Sequence, residues 1–163
     1  MDVVILIGSA SDLDVVGETM DILKKFEVEY TLEVTSAHRS PERTVEVIRR
    51  YETEGAEVFI AVAGKAAHLP GIVAAHTARP VIGVPVESGG LGGLDALLST
   101  VQMPKGIPVA TMGTGKAGAA NAALLAVQIL SLKSPALRSK LVAHKAQMAA
   151  QVEADSKKVR QNL

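Results

Sequence analysis

The 163-residue chain contains no cysteine. That excludes disulfides, thiolate metal sites and cysteine nucleophiles, and it suits a reducing compartment. Tryptophan is also absent, and phenylalanine and tyrosine occur twice each. The core must therefore be aliphatic, and the aromatic planes that usually sandwich a flavin are nearly absent. There is no excess of charge: 17 Lys and Arg balance 17 Asp and Glu. A neutral chain lacks the basic footprint of a nucleic-acid binder, so no nucleic-acid partner is expected. No stretch approaches the roughly 18 to 20 apolar residues that cross a bilayer, so no membrane partner is expected either. The apolar start from Met1 to Ile7 lacks a basic flank and a cleavage site. It reads as a first strand rather than a signal peptide, and a cytoplasmic location is expected.

What is present is a set of short apolar runs: 3–7, 58–63, 81–86 and 107–112. Continuous runs of this length suit strands covered on both faces. A fifth segment alternates instead, with Val28, Tyr30, Leu32 and Val34 set between Glu29, Thr31 and Glu33. A period of two predicts a strand with one more exposed face, near a sheet edge.

Helical patterns separate the strands. Leu13, Val16, Met20 and Leu23 follow helical spacing, and Ser11 with Asp14 suggests a capping box at their start. Ser40-Pro41-Glu42 reads as an N-cap, a first-turn proline and an early acid, with Val45, Ile48 and Tyr51 as the apolar stripe. Pro70 opens a further helix. Residues 117–132 are rich in Ala and Leu with little polar surface, which predicts a buried helix, with another subunit as one surface it could cover. After Ser134-Pro135 another helix carries Leu141, Met148, Val152 and Val159 as a narrow apolar seam.

Alternating strands and helices predict an α/β fold: three αβα layers around a parallel, flavodoxin-like sheet, with a C-terminal helical extension. The expected division is an α/β catalytic domain over 1–133 and an extension for packing or assembly over 134–163. In such folds ligands sit beyond the carboxyl ends of the strands.

The loops at those ends carry the polar residues. Gly8-Ser9-Ala10-Ser11-Asp12 offers backbone N–H groups and two hydroxyls to a phosphate, with Asp12 able to accept from a ribose; it also suits an ordinary cap. It is neither a G-x-G-x-x-G nor a Walker loop. Ser36-Ala37-His38-Arg39-Ser40-Pro41 sets a candidate for proton transfer beside an arginine able to clamp a phosphate; the same pair also suits a surface histidine and a solvated arginine. Ala63-Gly64-Lys65-Ala66-Ala67-His68-Leu69-Pro70-Gly71 has the small residues that let a ring approach the backbone. Glu87 to Asp95 is glycine-rich and fits a flap or a plain turn. His76 and His144 lack acidic partners at metal-ligand spacing and read as structural.

Taken in order, these blocks resemble the PurE family, the N5-carboxyaminoimidazole ribonucleotide mutases and the related aminoimidazole ribonucleotide carboxylases. Pro80-Val81-Ile82-Gly83-Val84-Pro85-Val86 and Val101-Gln102-Met103-Pro104 extend the likeness over nearly the whole chain. The resemblance implies a homo-octamer assembled around the C-terminal region, a nucleotide substrate, and neither metal nor organic cofactor. It implies that Ser9, Ser11 and Arg39 hold the phosphate and that Asp12 binds the ribose. It further implies that His38 moves protons and that Ser36, Gly64, Ala66 and His68 line the base and carboxylate pocket. One residue departs from the mutase pattern: Lys65 stands where glycine is usual. The carboxylase branch, however, usually has lysine at the place of Arg39 and lacks the Ala-Ala-His-Leu-Pro block, so Arg39 and His68 favour the mutase. The alternatives are direct carboxylation by carbon dioxide and a non-catalytic flavodoxin-like nucleotide-binding module.

Overall fold

A computed structural model describes residues 1–161. Five parallel strands form one sheet in the order β2-β1-β3-β4-β5. They are β1 (Val3–Ile7), β2 (Tyr30–Val34), β3 (Val58–Gly64), β4 (Val81–Val86) and β5 (Ala110–Thr111). The helices are α1 (Leu13–Lys25), α2 (Pro41–Thr53), α3 (Leu69–His76), α4 (Leu94–Val101), α5 (Gly115–Ser131) and α6 (Pro135–Gln161). The contacts divide the chain into two units, Met1–Ala126 and Val127–Leu163.

In the first unit the uninterrupted apolar runs become the central strands. Every residue of β1 and β4, and all of β3 except its last, is buried. Val4, Leu6, Phe59 and Ala61 share one core with Val47 and Ile48 of α2, Val73 of α3 and Ala96 of α4. The neighbours of opposite parity, Ile5, Ile7 and Ile60, are fully buried too, so helices cover both faces. Right-handed crossovers explain how. The step from β1 to β2 runs one way along the sheet and every later step runs the other way, so α1 takes the face opposite α2, α3 and α4. On that face the Thr19 hydroxyl donates to the Ala119 carbonyl, 2.9 Å away, which ties α1 to α5.

β2 is an edge strand, as expected, but its burial does not alternate: residues 30–33 are all partly buried and the apolar Val34 is exposed. It starts at Tyr30 rather than Val28 because the Val28 N–H closes α1 by bonding the Leu23 carbonyl. β5 shrinks from the expected 107–112 to two residues. Ile107 is still in a turn, its N–H bonded to the Pro104 carbonyl, and Pro108 has no N–H to give a ladder. In α2 the buried stripe is Thr44, Val47, Ile48 and Tyr51, with Val45 only half-buried.

The second unit ends α5 and contains α6. The Ser134 hydroxyl accepts from the Leu137 N–H at the start of α6. Of the expected seam, Leu141 is buried, while Met148, Val152 and Val159 are exposed.

The order of strands sets where a ligand can sit. Connections leave β1 toward one edge and β3 toward the other, so a crevice opens beyond the carboxyl ends of these adjacent strands.

Candidate active site

That crevice is a cavity of about 550 Å³, a size that suits a small-molecule ligand. All nine residues singled out from the sequence line it: Ser9, Ser11, Asp12, Ser36, His38, Arg39, Gly64, Ala66 and His68. Lys65 and Ser88 join them. His76 and His144 do not.

The loop after β1 turns sharply through a single 3₁₀ turn, Ala10–Asp12. The Asp12 carboxylate accepts from the Ser9 N–H at 3.1 Å, and the Ser9 hydroxyl oxygen accepts from the Ser11 N–H at 3.3 Å. The capping box therefore joins Ser9 and Asp12, not Ser11 and Asp14. Ser11 is inside the 3₁₀ turn, and Asp14 instead pairs with Lys116 at 2.9 Å. The two serine hydroxyls stand 2.9 Å apart, facing the cavity together. Asp12 is largely buried, and that burial pushes its carboxyl above the ordinary range despite the hydrogen bonds from Ser9 and Ser11.

The loop after β2 is held by serines. The Ser36 hydroxyl accepts from the Arg39 N–H at 3.2 Å, and the Ser40 hydroxyl accepts from the Ser36 N–H at 3.1 Å. Ser40 occupies the N-cap position of α2, but its side chain makes no cap bond because it is turned back to Ser36. The Arg39 guanidinium reaches across to the end of β1, where it donates to the Gly8 carbonyl at 3.0 Å. A cation is thus set beside the Ser9 and Ser11 hydroxyls, a donor set suited to a phosphate.

The loop after β3 brings in the second imidazole. His38 Nε2 and His68 Nδ1 are 2.6 Å apart, and the rings meet edge to face with centroids 4.7 Å apart. Next to them Gly64 leaves no room for a side chain. A Cβ there would strike the Ser88 hydroxyl and stand 3.1 Å from the Val86 carbonyl. Lys65 adopts a left-handed backbone, φ 55°, a conformation that costs a side-chain-bearing residue about 1 kcal/mol or more.

Ser88 is a polar lining residue that the sequence did not single out. Its signal was its place: it follows β4 just as the other polar loops follow their strands. The glycine-rich segment after it suggested only a flap or turn. Gly93, at φ 81°, packs where any Cβ would meet Glu87. Among the described residues no group of three or more His, Asp or Glu is arranged to hold a metal ion. No described helix is long and apolar enough to cross a membrane.

Hydroxyls, a guanidinium and paired imidazoles gather at the switch point of an α/β fold, the place where enzymes of this architecture bind small molecules. The chain belongs to the AIR carboxylase family, whose sequence model matches residues 2–151. It is similar to a Pyrococcus abyssi protein named N5-carboxyaminoimidazole ribonucleotide mutase, 56% identical over 144 residues that cover 88% of this chain and 82% of that one. A Methanocaldococcus jannaschii protein of the same name is 49% identical over 157 residues, 96% of each chain. Among solved structures, Treponema denticola PurE superposes with a TM-score of 0.87 at 30% identity, covering 96% of each chain.

Proposed function

We infer that this chain is an N5-carboxyaminoimidazole ribonucleotide mutase of purine biosynthesis, an isomerase that moves a carboxyl group from N5 to C4 of the imidazole. The observation that carries this reading is the combination of mutase-named relatives at about half identity over most of the chain with a polar cavity at the switch point.

The residues then take these roles. Ser9, Ser11 and Arg39 hold the nucleotide phosphate, and Asp12 accepts from the ribose hydroxyls. The imidazole of the substrate lies over Gly64 and Ala66, with Ser36 and His68 at its edge. The absence of a side chain at Gly64 lets the Ser88 hydroxyl close against the backbone there.

The reaction balances within one nucleotide. The N5–carboxyl bond breaks and N5 gains a proton, releasing carbon dioxide into the cavity. The enamine-like C4 attacks that carbon dioxide, and the C4 proton leaves to restore the aromatic ring. One proton leaves C4 and one arrives at N5, so a single acid–base group returns to its starting state each turnover. His38 fills that role. Its bond to His68 fixes the ring, and the cavity holds the carbon dioxide close to C4.

The working form is a homo-octamer in the cytoplasm, assembled through the extension at 134–163. The exposed Met148, Val152 and Val159 of α6 supply an apolar surface for that contact.

The test is an absorbance assay with two substrates in parallel: N5-carboxyaminoimidazole ribonucleotide without bicarbonate, and aminoimidazole ribonucleotide with abundant bicarbonate. Conversion of the first is expected. Efficient conversion of only the second would overturn the mutase in favour of direct carboxylation.

A further inference from the structure

Of the residues that line the cavity, two carry permanent positive charge, Arg39 and Lys65. They are engaged very differently. Arg39 is bonded to the Gly8 carbonyl and to the Ser36 hydroxyl. The one lining carboxylate, Asp12, is engaged by Ser9 and Ser11. The Lys65 ammonium has no hydrogen bond or ion pair among the described residues.

Its backbone is equally distinctive. Lys65 and Glu27 are the two described non-glycine residues at positive φ, and Lys65 is the one at the cavity. The turn is locked by short backbone bonds, from the Ala67 N–H to the Lys65 carbonyl and from the His68 N–H to the Ala66 carbonyl, both 2.8 Å. A residue held in a left-handed conformation at the wall of a cavity is strained where strain commonly serves a ligand. The same turn places His68 against His38.

The mutase reading gives the ligand two anionic groups, a phosphate and a carboxylate. The cavity has two cations. Arg39 is committed to the β1 end, among the serine hydroxyls, and Lys65 leaves from the β3 end, in the turn that carries His68. We propose that Lys65 is a specificity-determining residue whose ammonium pairs with the migrating carboxylate of the nucleotide, so that the site discriminates carboxylated from uncarboxylated imidazole nucleotides. The proposal rests on the mutase reading for the identity of that carboxylate. The ammonium supplies a charge-assisted hydrogen bond that exists only while the carboxylate is on the ring.

Calorimetry with two probes tests it: 4-carboxyaminoimidazole ribonucleotide and aminoimidazole ribonucleotide, titrated into the wild type, Lys65→Met and Lys65→Arg. Lys65→Met is expected to weaken the carboxylated nucleotide on the order of 10-fold, the scale of one hydrogen bond to a charged group. It is expected to leave the uncarboxylated one within about 2-fold, and Lys65→Arg should restore most of the difference, because a guanidinium also pairs with a carboxylate. Equal weakening of both nucleotides, or no change in either, would overturn the proposal. Wild-type turnover of N5-carboxyaminoimidazole ribonucleotide without bicarbonate is measured alongside. Selective loss in the variant together with a wild type that does not turn over would sink the mutase reading and leave Lys65 as a carboxylate ligand. Normal turnover with no selectivity would sink the Lys65 proposal alone.

Discussion

His38 Nε2 stands 2.6 Å from His68 Nδ1 although the residues are 30 positions apart in the chain. At that separation one nitrogen carries the hydrogen and the other accepts it, so the tautomer of one ring dictates that of the other. His68 thereby orients the His38 ring, and under the mutase reading the two rings would handle the proton together.

His38→Asn removes the imidazole while keeping a polar side chain of similar reach. Its kcat should fall by roughly 10²- to 10⁴-fold, the usual share of general acid–base catalysis, with nucleotide affinity nearly unchanged. Near-normal turnover in a steady-state assay would take the proton-transfer role away from His38.

Arg39→Ala removes a cation from the serine hydroxyls. Affinity for the phosphate-bearing nucleotide should weaken by roughly 10- to 100-fold, as expected for loss of a hydrogen bond to a charged group. The weakening should shrink for the nucleoside, which has no phosphate. An unchanged dissociation constant by calorimetry would place the phosphate elsewhere.

Gly64→Ala tests the floor of the cavity. The added Cβ meets Ser88 and the Val86 carbonyl, so overpacking should lower stability by about 1–3 kcal/mol and reduce turnover. Gly64→Ala combined with Ser88→Gly should recover part of the stability, since the nearest obstacle is gone. A fully stable single variant in thermal melts would contradict the packing at this point.

Glu33 gives a pH prediction. Burial alone would raise its carboxyl, but the Tyr51 hydroxyl at 2.8 Å and the guanidinium groups of Arg50 and Arg43 outweigh that and hold it below its ordinary value of 4.5. A depressed carboxyl stabilises the fold above the unfolded value, and that stability is lost as pH falls through the folded one. Glu33→Gln should therefore cost about 1 kcal/mol at pH 7, and the gap to the wild type should close as the pH drops below 4.5. A gap that stays constant from pH 7 to pH 3 would show that the charge contributes nothing.

Val152→Glu with Met148→Glu places charge on the exposed seam of α6. The variant should be smaller than the wild type by light scattering, with its helical content retained. An unchanged mass would move assembly to another surface.

The central strands were readable because β1, β3 and β4 are buried on both faces and so are apolar without interruption. β2 was readable as an edge strand because Thr31 and Glu33 interrupt its apolar residues, although residues 30–33 are all partly buried and Val34 is the exposed one. What eluded the sequence were features set by hydrogen bonds between neighbours. Ser9-x-x-Asp12 and Ser11-x-x-Asp14 have identical spacing, and only the 3₁₀ turn decides which pair closes. The run at 107–112 has the composition of a strand, but the turn at Ile107 and the missing N–H of Pro108 leave two residues to pair. For the site, each loop was legible as a place where polar groups gather. The meeting of His38 with His68 is a tertiary contact without a local signature. The left-handed backbone of Lys65 is likewise hidden, since nothing about a lysine announces it.

The two ends of the sheet are alike in one respect. β5 offers only Ala110 and Thr111 to a neighbour. At the other end the carboxylate of Glu33, on β2, is gripped by two arginines and a tyrosine, so a charged cluster stands on the strand that would otherwise be the better template. Short strands and fixed charges are how sheets refuse to grow by adding a stranger's strand. Here both borders of the sheet are closed to such polymerisation.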